Sequence, residues 1–241
     1  MKQYIRTGER TYSNDYLSNV IKSPIPNLQS QNLNTEWVGF SLHIIDDLAT
    51  DFNLYMFFNE TMPNMPAKFL FTQFGESIFD LCKLIDNRRN NKVSLLHILN
   101  SIEQNIIDEV LKNGFKKFKN DVVLWLESKK DFVQNLCTVR DKFLAHIDID
   151  EKSQNEYRSA FRKILVHDFI EISNTIIQIY AEIITSIMAV CLPESYYMID
   201  EFNFIYECLR SLDKIDKNAT VKNLIIHNID LELNQIKELI K

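Results

Sequence analysis

Apolar residues recur along most of the chain at three- and four-residue steps, the period of a helix that buries one face. From Trp37 the residues Trp37, Phe40, Leu42, Ile44, Ile45, Leu48 and Phe52 follow this spacing, which predicts a helix ending before Met62-Pro63-Asn64-Met65-Pro66. A second helix is predicted to open near Pro66, a residue tolerated in a first helical turn, and to carry Phe69, Leu70, Phe74, Ile78, Leu81, Cys82 and Ile85 on one side. The charged run Asn87-Arg88-Arg89-Asn90-Asn91 ends it. Ser94 is suited to cap a third helix with the stripe Leu95, Ile98, Leu99, Ile102, Ile106 and Val110, and Gly114 is the expected left-handed stop. Residues 115–126 continue as a shorter helix.

A further helix is expected from Ser128, with the ladder Phe132, Leu136, Val139, Phe143 and Ile147. After a polar break at Asp148 to Ser153 the helical pattern resumes from Glu156 to Val190, and Pro193 closes it. The pattern therefore predicts an all-α protein, an antiparallel helical bundle over residues 36–192. Residues 1–35 read as a polar N-terminal arm or linker outside the core, with Pro24 and Pro26 in a Ser-, Asn- and Gln-rich run. Residues 193–241 read as a helical extension packed on the bundle, through Phe202, Ile205, Leu209 and Leu212 and again from Leu231 to Ile240.

Composition sharpens this picture. Four glycines and five prolines in 241 residues leave little material for turns, as a helical chain requires. The most apolar stretch, Phe169 to Leu192, is interrupted by Glu171, Asn174, Gln178 and Glu182, so it suits a buried core helix rather than a membrane span. Cys82, Cys137, Cys191 and Cys208 show no zinc-finger or redox-motif spacing, and no apolar leader follows the first residues, so a reduced, cytoplasmic protein without membrane attachment is expected.

A net charge of −6 argues against a protein that coats nucleic acid through bulk electrostatics. Locally the balance reverses: between Lys112 and Lys142 the cations Lys112, Lys116, Lys117, Lys119, Lys129, Lys130, Arg140 and Lys142 face only Asp121, Glu127, Asp131 and Asp141. Lys116, Lys117, Lys119, Lys129 and Lys130 are the candidate RNA-binding residues, against the alternative of an ordinary solvated helix face.

That surplus leads into Val139-Arg140-Asp141-Lys142-Phe143-Leu144-Ala145-His146-Ile147-Asp148. A guanidinium is a permanent, fork-shaped phosphate binder, and an imidazole exchanges protons near neutral pH, so Arg140 and His146 together have the chemistry to cleave RNA without a metal. On one regular helix the two side chains point roughly 120° apart. Two copies related by a two-fold axis would bring both pairs to one cleft, which predicts a homodimer with a composite site.

An arginine, a polar residue and then a histidine within about four to six residues resembles the signature of the HEPN superfamily. The wording RDKFLAHID is most similar to its abortive-infection, AbiU-like branch, as is Leu84-Ile85-Asp86 followed by Ser94-Leu95-Leu96. The resemblance implies an all-α homodimer that acts as a metal-independent endoribonuclease in phage defence or a toxin system, with RNA as substrate and an antitoxin protein as a partner class. Arg140 and His146 become the catalytic candidates, with Asp141, Lys142 and Asp148 in support and neither cofactor nor metal needed. Asp141 stands where asparagine is commoner in the ribonuclease members, and a carboxylate there either holds Arg140 in an ion pair or repels RNA phosphate. Asp148 stands where members silenced by nucleotidyl transfer carry tyrosine, so that form of control is not expected.

Two alternatives remain open. One is a non-catalytic HEPN-like module that binds RNA or protein. The other is a metal-dependent HD-type phosphohydrolase, which would use His167-Asp168, His43 with Asp46 and Asp47, and Glu76 with Asp80.

Overall fold

The computed structural model describes residues 20–61, 67–86, 91–144 and 151–188, and all regular structure among them is helical. The elements are α1 (Glu36–Thr61), α2 (Ala67–Ile85), α3 (Leu95–Asn105), α4 (Glu109–Ser128), α5 (Lys130–Val139), a π-helical turn (Arg140–Leu144), α6 (Glu151–Phe161) and α7 (Val166–Met188). The stretches expected to be helical beyond residue 188 lie outside the described residues.

Helix α7 is the axis of the packing. It buries Phe169, Ile170, Ile172, Ile176, Ile177, Ile179, Tyr180, Ile183 and Ile184 along one broad face, while Glu171, Asn174 and Glu182 mark the opposite side. An apolar face this wide must be covered, and the neighbouring helices cover it. Phe169 stacks on Phe52 of α1 with ring centroids 5.0 Å apart and meets Phe74 of α2 edge-on at 5.3 Å. Tyr180, fully buried, directs its hydroxyl at the carbonyls of Leu84 and Val93. It thereby joins the end of α2 to the start of α3. Among the described residues no helix is long and apolar enough to cross a membrane.

Several boundaries differ from the expected ones. The third helix does not run to Gly114. It ends at Asn105, and a new helix starts after Asp108, whose carboxylate caps α4 by accepting from the N–H groups of Val110 and Leu111. That break resets the helical phase, so Val110, expected in the core stripe, is exposed. Gly114 sits inside α4 beside Pro26, where a Cβ would meet the proline ring at 3.6 Å. Ser94 stands at the cap position of α3 but its side chain makes no capping bond. Lys129, rather than Ser128, marks the junction of α4 and α5, and Arg162 to Leu165 divides what read as one helix into α6 and α7. Phe40 is on the solvent side of α1.

The described part of the polar arm does build the core, against expectation. Ile21 and Leu28 are buried in the main cluster. The Leu28 N–H donates to the carbonyl of Ser186 in α7 at 2.8 Å. At the other end of this strap, Asp121 of α4 accepts from the N–H groups of Ser23 (2.8 Å) and Lys22 (3.1 Å). Desolvation alone would raise the Asp121 pKa, but these hydrogen bonds outweigh it and hold the carboxyl below the usual value. A depressed carboxylate pKa gives stability that is present above the unfolded-state pKa and is lost as pH falls through the folded one. Amide exchange at Ser23, corrected for its intrinsic pH dependence, is therefore expected to quicken below about pH 4, and at neutral pH to be faster in Asp121→Ala than in the parent.

Candidate functional site

Arg140 is the first residue of the π turn and is buried, its side chain only 10% exposed. The α-helix ends one residue earlier, so the regular geometry expected for the motif does not hold from Arg140 onward. A π turn widens the helix by one residue per turn and is found often at functional sites. The turn lies against both α2 and α6.

Its guanidinium sits between two carboxylates. Nη1 donates to Oδ2 of Asp86 at 2.7 Å and Nε donates to Oδ1 of Asp141 at 2.8 Å. Nη2 is buried with no hydrogen-bond partner among the described residues. Burial works against the charge. The hydrogen bonds to Asp141 and Asp86, with the nearby thiols of Cys82 and Cys137, more than offset it and hold the pKa above the ordinary arginine value.

Asp86 was not among the sequence candidates for the site. It follows the last residue of α2, where the helix dipole presents its negative end, so a carboxylate there needs a cation, and Arg140 provides it. Asn91 holds the same end in place, its Nδ2 donating to the carbonyls of Lys83 (2.6 Å) and Asp86 (2.9 Å). The signal was present in Leu84-Ile85-Asp86, but only the fold brings it to Arg140.

The other candidates are distributed as follows. Asp141 pairs with Arg140 through Nε at 2.8 Å. Lys142 lies 3.6 Å from Glu156 of α6. Lys119 pairs with Glu103 and Lys129 with Glu171, the latter tying the α4–α5 junction to α7 at 2.9 Å. Lys116, Lys117 and Lys130 are exposed. His146 and Asp148 lie outside the described residues.

An open groove of about 650 Å³ runs beside the clamp, bordered by Asp86, Asp141, Lys142, Glu156, Lys130 and Glu127, with Leu96, Leu126 and Val133 as apolar floor. Its rim is of mixed charge, with more carboxylates than ammonium groups. Cys137 also lines it, while Cys82 behind is fully buried.

Among the described residues no three His, Cys, Asp or Glu side chains gather as metal ligands. His43 lies 3.5 Å from Asp47 on the exposed side of α1, and Asp80 is bound to Lys83 at 2.6 Å. The HD-type alternative gains no ligand cluster from His43, Glu76, Asp80, His167 or Asp168.

The family model described as AbiU2, of the HEPN class, matches residues 74–199, just over half of the chain. The match runs from Phe74 in α2 through the Arg140 clamp to beyond the end of α7. No curated protein and no solved structure matches the chain.

Proposed function

The chain belongs to the HEPN AbiU2 family, an abortive-infection module, and from that membership and the Arg140 clamp we propose that it is a metal-independent endoribonuclease working as a homodimer. The observation that carries the reading is the unfilled Nη2 of Arg140. A buried N–H without an acceptor costs about 1–3 kcal/mol, which an arriving anion would recover. Nε and Nη2 form one edge of the guanidinium fork, the edge that takes two phosphate oxygens side by side. Asp141 occupies Nε, but its side chain is 38% exposed against 16% for Asp86, so it is the partner that gives way. Asp86 then remains on Nη1 and keeps the fork oriented.

In this reading His146 removes the 2′-hydroxyl proton, the freed oxygen attacks the adjacent phosphorus, and His146 of the partner subunit protonates the departing 5′-oxygen. Arg140, with Lys142 nearby, stabilises the charge that develops on the phosphorane, where fixed cations act most strongly. The products are a 2′,3′-cyclic phosphate and a 5′-hydroxyl. Exposed Lys116, Lys117 and Lys130 supply the sequence-independent attraction for the RNA backbone. An antitoxin protein is the partner class that would control the activity.

Purified protein is expected to cut single-stranded or loop RNA in excess EDTA, to leave cyclic phosphate ends, and to sediment as a dimer at micromolar concentration. Cutting that needs added metal would refute the mechanism. RNA bound but never cut would make the chain a non-catalytic HEPN module.

A further inference from the structure

Cys82 and Cys137 are 55 positions apart in sequence, yet the fold brings their thiols into hydrogen-bonding contact, Cys82 from α2 and Cys137 from α5. Both are free. Cys82 is fully buried, whereas Cys137 is partly exposed on the groove, so a small oxidant in the groove meets only Cys137. The pair lies beside the clamp, on the same two segments of chain. Cys82 lies four residues before Asp86 and Cys137 three residues before Arg140, about one helical turn in each case. A bond between the sulfurs and the ion pair between Asp86 and Arg140 would thus join the same two elements one turn apart.

We propose that Cys82 and Cys137 form a reversible disulfide that locks Arg140 against its carboxylates and silences the site. The silencing rests on the ribonuclease reading; the disulfide does not.

The chemistry closes with hydrogen peroxide as oxidant. The Cys137 thiolate attacks one peroxide oxygen, the O–O bond breaks, hydroxide leaves, and the sulfur is oxidised to a sulfenic acid. Cys82 then attacks that sulfur, the S–O bond breaks, and the departing oxygen takes the Cys82 proton to leave as water. Two thiols and one peroxide become one disulfide and two waters. The environment suits this order of events. The hydrogen bond from the Cys82 thiol lowers the Cys137 pKa and the Arg140 guanidinium acts in the same direction, against desolvation. The same contact, with burial, raises that of Cys82. Cys137 is therefore the attacking sulfur and Cys82 the resolving one. A thiol pair without local sequence spacing escapes the usual motif rules, and disulfides in reducing compartments are typically of this transient, sensing kind.

The consequence is a change in freedom rather than in shape. Phosphate capture requires Asp141 to leave the fork and Arg140 to adjust toward the ligand. A covalent link between α2 and α5 restricts that adjustment.

The test treats the full-length reduced protein with hydrogen peroxide and removes the excess. Peptide mapping without reductant is expected to show Cys82 joined to Cys137 with loss of two hydrogens. RNA cleavage is expected to fall about tenfold and to return with dithiothreitol, a coupling of ordinary size. Hydrogen exchange in the Arg140–Leu144 turn is expected to slow by a similar factor. Cys137→Ser and Cys82→Ala should cut RNA when untreated and resist peroxide. Absence of the Cys82–Cys137 link, or a link that leaves both exchange and an active enzyme's cleavage unchanged, overturns the proposal. If the reduced protein cuts no RNA, the ribonuclease reading fails, and the link with its exchange signature still decides the disulfide.

Discussion

Replacing Arg140 by alanine is expected to lower RNA cleavage by about 100- to 1000-fold, the range for removing one preorganised donor to a developing oxyanion. The guanidinium is the one described group with a fixed fork, a buried setting and an unfilled N–H, so no neighbour can substitute for it. Arg140→Lys should lose nearly as much. An ammonium offers a point charge in place of two parallel donors and cannot bridge Asp86 and a phosphate in one plane. Folding must be measured alongside, because the alanine variant leaves Asp86 and Asp141 facing each other without their shared cation. Circular dichroism and thermal melting separate the two effects, since a loss of turnover in a fully folded chain belongs to the chemistry. Asp141→Asn is the informative counterpart. It removes the competing charge at Nε but keeps an acceptor there, so RNA affinity and cleavage should rise while the melting temperature changes little. Unchanged cleavage in Arg140→Ala with intact folding would take Arg140 out of the mechanism altogether.

The contrast between what could and could not be read beforehand follows from the range of the interactions involved. Helical spacing is local, and it located α1, α2, α5 and the core helix α7 from positions such as Leu48, Phe52, Ile78 and Ile176. Termini and phase are set by competition between neighbours, and here the reading slipped. Asp108 outcompeted the continuous stripe by offering a carboxylate to the N–H groups of α4, which turned Val110 outward. Gly114 looked like a stop because glycine is cheap in a left-handed turn, whereas it lies inside α4 beside Pro26, with room for an ordinary Cβ contact. The motif itself was legible down to Arg140. Its setting was not. Asp86, Asn91 and the Cys82–Cys137 contact are brought to it from α2 and the segment after it, and no periodicity in one segment records which residue of another it will meet. The polar strap misled for a related reason: Ile21 and Leu28, seven positions apart in a run rich in Ser, Asn and Gln, carry no pattern, yet their burial and a few hydrogen bonds to α4 and α7 hold the segment.

Phe169→Ala is expected to destabilise the protein by about 3–5 kcal/mol, among the largest effects a single core truncation produces. The ring is fully buried and lies between two others, stacked on Phe52 and edge-on to Phe74. Phe52 and Phe74 also meet each other at 6.0 Å, so the three rings form a closed triangle joining α1, α2 and α7. Deleting one corner removes the transfer energy of the ring and leaves a void that helices held apart by large side chains cannot collapse to fill. Phe161 offers the comparison. It touches Phe74 edge-on at 5.8 Å but is only half-buried at the end of α6, so its truncation should cost markedly less. Chemical denaturation of both variants against the parent measures the difference. The outcome bears on the site as well, because α7 holds the α4–α5 junction through Glu171 and Lys129, two residues beyond Phe169. If Phe169→Ala loosens α7, the clamp on Arg140 should melt with it in a single transition, and a variant that lost less than about 1 kcal/mol would show that the aromatic triangle is not where the bundle is held together.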